Sequence, residues 1–119
     1  MVRVILSRDT GMGTISLTVS GHAGQAEEGH DLVCSACSIL AYTVAQIVNT
    51  EKLAGSFKTE PIMVLSKGGA YISCEPKREM YNEILHTFYV AEVGYTLLSH
   101  NYPQYVELTT FGEAESALI

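Results

Sequence analysis

Two short stretches concentrate the side chains able to do covalent chemistry: Gly21-His22-Ala23-Gly24, and Asp31-Leu32-Val33-Cys34-Ser35-Ala36-Cys37-Ser38. A thiol attacks a carbonyl only as its thiolate, so a catalytic cysteine needs help to lose its proton. The pattern predicts Asp31 as the N-cap of a helix, which puts Cys34 at its third position. Unpaired backbone N–H groups and the positive end of the helix dipole there favour an anion. The same amides would hold the oxyanion of an acyl-transfer intermediate. His22 can fold back across the intervening residues, take the thiol proton and later return it to a leaving amine. Asp31 is expected to cap the helix or orient His22, since a carboxylate near Cys34 would otherwise raise the thiol pKa. Ser38 follows Cys34 by four residues and shares its helical face, so its hydroxyl is placed to touch a substrate or the reacting pair.

The same atoms allow other uses. Cys34-x-x-Cys37 at a helix start matches a thiol redox motif, although that motif normally follows a strand directly and here a glycine-rich loop precedes it. His22, His30, Cys34 and Cys37 together make a conceivable zinc set, but such cysteine pairs usually sit on a turn and the two histidines lack the common ligand spacing. A buried helical cysteine is often only a small hydrophobe. That applies to Cys37, on the apolar stripe, and to Cys74, in an expected strand. His86 and His100 stand singly on a second helix as surface or capping residues, and His30 reads as a loop residue. A non-catalytic module that binds a peptide in the same groove also remains open. No metal or other cofactor is expected for the peptidase reading.

The elements that must position these residues follow from periodicity. Residues 2–7 and the alternating segment 14–20 form a hairpin around Asp9-Thr10-Gly11-Met12-Gly13. Three glycines (Gly21, Gly24, Gly29) make the segment from Gly21 to Gly29 a loop. After Asp31, apolar residues at Val33, Cys37, Leu40, Val44, Ile47 and Val48 repeat with helical spacing until near Gly55. Residues 62–65 and 70–74 are strands joined by Lys67-Gly68-Gly69. A second helix follows Pro76 with Tyr81, Ile84, Leu85, Phe88, Ala91, Tyr95 and Leu98 on one stripe, and stops before Pro103. Residues 105–109 form a last strand, and the tail from Gly112 is expected to fray. The order β-β-α-β-β-α-β predicts an α+β fold, a mostly antiparallel sheet with two amphipathic helices on one face. Apolar residues outside the main stripe of the first helix (Ala36, Ile39, Ala41, Ala45) suggest a homodimer that buries more of it.

The 119 residues fit one domain, taken as residues 1–119, with a hydrophobic fraction of 47% that is ordinary for a globular chain. No secretory signal is read at the N-terminus, and no unbroken apolar run approaches the roughly 20 residues of a membrane span. The protein is expected to be cytoplasmic, its three cysteines reduced. Net charge is −6, and no Lys or Arg occurs between Asp9 and Glu51. That argues against direct nucleic-acid binding, which needs clustered cations. Glu27, Glu28 and Asp31 suit a basic peptide instead.

The His22 and Cys34 motifs at this separation, with the elements around them, resemble the ribosomal-processing cysteine protease family of bacteria (Prp) over nearly the whole chain. The resemblance implies a homodimeric endopeptidase that removes a short N-terminal extension from a basic ribosomal protein, the twenty-seventh of the large subunit. It implies a catalytic dyad of Cys34 and His22, with Gly21, Asp31 and Ser38 associated with the active site, and a glycine loop that moves when substrate binds. Cys37 departs from the family pattern, where an aliphatic residue is expected, and so raises a side reaction with Cys34 under oxidation.

Overall fold

In a computed structural model, residues 1–21, 28–66 and 68–112 are described, residues 28–31 by their backbone alone. Strand β1 (Val2–Asp9) and strand β2 (Thr14–Ser20) pair antiparallel, with Arg3 opposite Ser20 and Asp9 opposite Thr14. Their turn is closed by the Gly13 N–H donating to the Asp9 carbonyl at 2.7 Å and the Met12 N–H to Asp9 Oδ1 at 3.1 Å. Helix α1 (Glu28–Leu53) follows, then the hairpin of β3 (Ile62–Ser66) and β4 (Gly69–Cys74). A short 3-10 turn at Arg78–Met80 leads into α2 (Tyr81–Asn101), and β5 (Val106–Phe111) closes the chain order. The sheet runs β3-β4-β2-β1-β5, antiparallel except where β5 lies parallel to β1. The expected α+β order is therefore the observed one.

Alternation along the strands decides which face is covered. Val2, Val4 and Leu6 of β1, Ile15, Leu17 and Val19 of β2, and Ala70, Ile72 and Cys74 of β4 all point inward and are buried. Both helices pack on that face, through Val33, Cys37, Ala41, Val44, Ala45 and Val48 of α1 and Ile84, Leu85, Phe88, Ala91 and Tyr95 of α2. The stripe predicted for α2 matches this set. That of α1 is rotated: Ala41 and Ala45 lie in the core, while Ile47 is exposed and Leu40 only partly buried. Leu40 instead meets α2 at Gly94, where an added Cβ would sit 2.8 Å from Leu40 Cδ1. The helices thus approach through a leucine over a glycine, and small alanines turn toward the sheet. At the opposite end of β1 from Val2, buried Arg8 faces Glu92 of α2 across 3.6 Å, an ion pair that ties helix to sheet.

Three further expectations change. Helix α1 begins at Glu28, so Asp31 is not its N-cap and Cys34 lies in its second turn, not its first. A glycine inside the first turn, Gly29, costs only about 1 kcal/mol relative to alanine, too little to stop a helix of 26 residues. The span Leu32–Leu53, with hydropathy 1.6 over its best window, is also long and apolar enough to cross a membrane, which a search for unbroken apolar runs overlooks. Here that helix is a core element with one face on the sheet. Finally, Gly69 belongs to β4 instead of the preceding turn. The expected loop at residues 22–27, the residue Lys67 and the tail from residue 113 lie outside the described residues.

Candidate active site

Cys34 is partly exposed on the second turn of α1, whereas Cys37 and Cys74 are buried. It opens into a cavity of about 340 Å³ lined by Val2, Val19, Gly21, Ser35, Cys37, Ser38, Tyr42 and Gly68 as well. The fold explains the gathering. Sheet pairing sets Arg3 opposite Ser20 and Ser20 opposite Gly69, so the start of β1, the end of β2 and the β3–β4 turn meet at one margin of the sheet. The first turns of α1 cross that margin. Cys34, Ser38 and Tyr42 recur every four residues and present one ridge of the helix to it.

Gly21 holds φ +86° where the chain leaves β2, and a Cβ there would lie 2.5 Å from the Met1 carbonyl oxygen. Only glycine leaves the cavity wall this shape. On the far side of Cys34, buried Tyr95 donates its hydroxyl to the Cys37 carbonyl at 2.9 Å, fixing the helix one turn beyond the nucleophile candidate to α2.

The later start of α1 changes the electrostatics expected at Cys34. Free N–H groups and the dipole act mainly within the first helical turn. Amides in the second turn are committed to carbonyls four residues back. The helix end is therefore not the source of a held thiolate, and the amides beside Cys34 are not spare oxyanion donors. The hydroxyl-bearing Ser35 and Ser38 line the same cavity as Cys34.

Burial pushes the Cys37 thiol up to about 11 from 9.0, with the Cys34 charge adding to it. Burial alone pushes Cys74 up to about 12. Both raised values exceed those of the unfolded chain, so the folded state keeps protons that the unfolded state releases. Stability is then full below about pH 9 and falls as pH rises from there toward 11–12. The expected slope is up to about 1.4 kcal/mol per pH unit per thiol. Urea unfolding at pH 8 and pH 10.5 checks this: a lower midpoint at pH 10.5 in the native protein, partly restored in a Cys37→Val, Cys74→Val double variant, is the expected result, with Tyr81 and Tyr95, also pushed up by burial, keeping the remainder.

Of the residues singled out from sequence, the structure brings together Cys34, Ser38 and Gly21. The position of His22 and the side chain of Asp31 lie outside the described residues. Tyr42, Ser35 and Gly68 escaped the sequence reading. Tyr42 was detectable as the next step on the four-residue ridge, but Gly68 reaches the site only through the pairing order of the sheet. Among the described residues no group of three or more His, Cys, Asp or Glu side chains could hold a metal. The zinc set needs His22 and His30, whose side chains are not described. His86 and His100 are exposed on α2.

A family model described as cysteine protease Prp matches residues 1–107. Among solved structures, SMU.848 from Streptococcus mutans is similar at 25% identity and TM-score 0.65, covering 95% of this chain and 96% of that one. The ribosomal processing protease Prp from S. aureus, in complex with a substrate peptide, shares the fold at 16% identity and TM-score 0.68, covering 92% of this chain and 99% of that one. The same protease with a covalently linked product peptide gives 20% identity and TM-score 0.66, with coverage of 92% and 99%. No curated protein sequence matches the chain.

Proposed function

We propose, given that the chain belongs to the cysteine protease Prp family and is therefore a cysteine peptidase, that Cys34 is its nucleophile and His22 its general acid and base. The observation that carries this reading is the contrast among the three cysteines: Cys34 is partly exposed in a cavity, and the other two are buried. In the reaction, Cys34 Sγ attacks the scissile carbonyl as His22 takes its proton. Collapse of the tetrahedral adduct breaks the C–N bond, the amine leaves with the proton from His22, and a thioester remains on Cys34. His22 then draws a proton from water, which hydrolyses the thioester and frees the thiol. Ser38 contacts substrate from the next turn, Gly21 shapes the wall, and Asp31 orients His22.

The proposed substrate is the N-terminal extension of a basic ribosomal protein, the twenty-seventh of the large subunit. The S. aureus protease of the same fold, solved in complex with a substrate peptide, supports a peptide as the substrate class. Processing takes place in the cytoplasm, without direct contact to nucleic acid or membrane. The enzyme works as a homodimer that covers apolar residues exposed on the helices, Ile39, Val90, Val93 and Leu97 among them. Incubation with the precursor of that ribosomal protein, read by mass spectrometry, tests the reading: a single cut near its N-terminus is expected, and an intact precursor would refute the substrate.

The acidic residues Glu27 and Glu28 attract the basic peptide. Charge reversal by Glu27→Lys with Glu28→Lys should raise KM several-fold at low salt and much less at high salt, because attraction between charges through water is screened beyond about 8–10 Å at physiological ionic strength. Equal KM values for native and variant at low salt would remove this attraction from the account.

A further inference from the structure

Cys37 is a second thiol on the wall of the cavity that holds Cys34, and peptide hydrolysis gives it no task. We infer that Cys34 and Cys37 form a reversible disulfide under peroxide, which locks the peptidase off and protects its nucleophile from irreversible oxidation. The consequence for cleavage rests on the reading of Cys34 as the nucleophile; the bond itself does not.

Residues three apart on a helix have Cα atoms about 5 Å apart, from a 1.5 Å rise and 100° turn per residue. A disulfide takes Cα separations of about 4.4–6.8 Å. Helical Cβ atoms at that spacing start about 5–6 Å apart and must close to about 3.5–4.5 Å. The second turn of α1 must therefore tighten, and a bond made against such resistance is among the readily reduced, regulatory ones.

The two environments divide the labour. Cys34 is partly exposed, so a hydroperoxide can reach it, while Cys37 is 2% exposed and shielded. In the first step the Cys34 thiol sulfur gives two electrons to hydrogen peroxide, and its proton goes to the departing oxygen. An S–O bond forms, the O–O bond breaks, and water leaves, giving a sulfenic acid. In the second, the Cys37 sulfur attacks the Cys34 sulfur. The S–S bond forms, the S–O bond breaks, and hydroxide departs as water with the Cys37 proton. A dithiol reductant reverses the change by thiol–disulfide exchange. Burial keeps Cys37 protonated, and the charge of Cys34 adds to that effect. Oxidation of Cys34 to a neutral sulfenic acid removes the smaller, charge-derived part of that effect, and the tightening of the turn brings the two sulfurs together. Cys74, buried in β4, stands apart as an internal control.

The test treats the full-length protein with a few equivalents of hydrogen peroxide, then denatures and alkylates it. The native protein should become about 2 Da lighter, keep only Cys74 alkylatable, and yield a linked peptide joining Cys34 to Cys37. Dithiothreitol should return the mass and restore cleavage to within about twofold of its untreated rate, a disulfide being reducible where higher oxides are not. Cys37→Ala, with Cys37→Val as a second variant should alanine unsettle the core, should instead gain about 32 or 48 Da and recover less than a tenth of its own untreated rate, since sulfinic and sulfonic acids are not reduced by thiols. Oxygen added to native Cys34 without loss of the Cys37 thiol would overturn the inference. So would a bond from Cys34 to Cys74 or to a second chain. A Cys34–Cys37 bond in a protein that never cleaves peptide would leave this chemistry standing and refute the peptidase assignment of Cys34.

Discussion

Cys34→Ala should abolish peptide cleavage, with kcat/KM falling by roughly 10³–10⁶-fold, while peptide binding persists. No other thiol can substitute. Cys37 is 2% exposed and Cys74 4%, and burial holds both protonated well above neutral pH. Alanine removes the sulfur without enlarging the side chain, so the cavity stays open to peptide. Binding can be followed by fluorescence anisotropy of a labelled precursor peptide and cleavage by mass spectrometry. Retained turnover in the alanine variant would exclude covalent catalysis at this residue. Binding without turnover in the native protein would point to a peptide-holding module.

His22→Ala should lower kcat by about 10²–10⁴-fold, the range for loss of a positioned acid and base. Added imidazole should restore part of the rate in the variant and leave the native enzyme unchanged. A rate independent of His22, or a variant that imidazole fails to rescue at any concentration, would assign the proton transfers elsewhere. The proposal places more of the burden on this histidine than the expected helix start would, since Cys34 lies a turn too far along α1 for the helix end to act on it.

That shift shows where sequence reasoning works and where it stops. Strands β1, β2 and β4 were legible because one buried face imposes strict alternation, and α2 because five core residues recur at helical spacing. The start of α1 was not. Glu28, Gly29 and His30 carry no apolar signal, and Gly29 reads as punctuation although the helix continues through it. The face of α1 was misjudged for a tertiary reason: Leu40 settles over Gly94, a contact between segments more than fifty residues apart in sequence. Cys34 and Ser38 were legible as chemistry on one helical ridge. Gly68 was not, because only the order β3-β4-β2 brings that turn beside the end of β2.

Peptidase chemistry through a thioester on Cys34 is tested most directly by trapping the acyl-enzyme. An ester analogue of the cleaved peptide, mixed with excess enzyme and quenched in acid within the first turnover, should leave the N-terminal acyl fragment on the protein. Peptide mapping should place that added mass on the fragment carrying Cys34, and hydroxylamine should remove it. Cleavage at full rate with no adduct, or with the adduct on any other residue, would contradict the account.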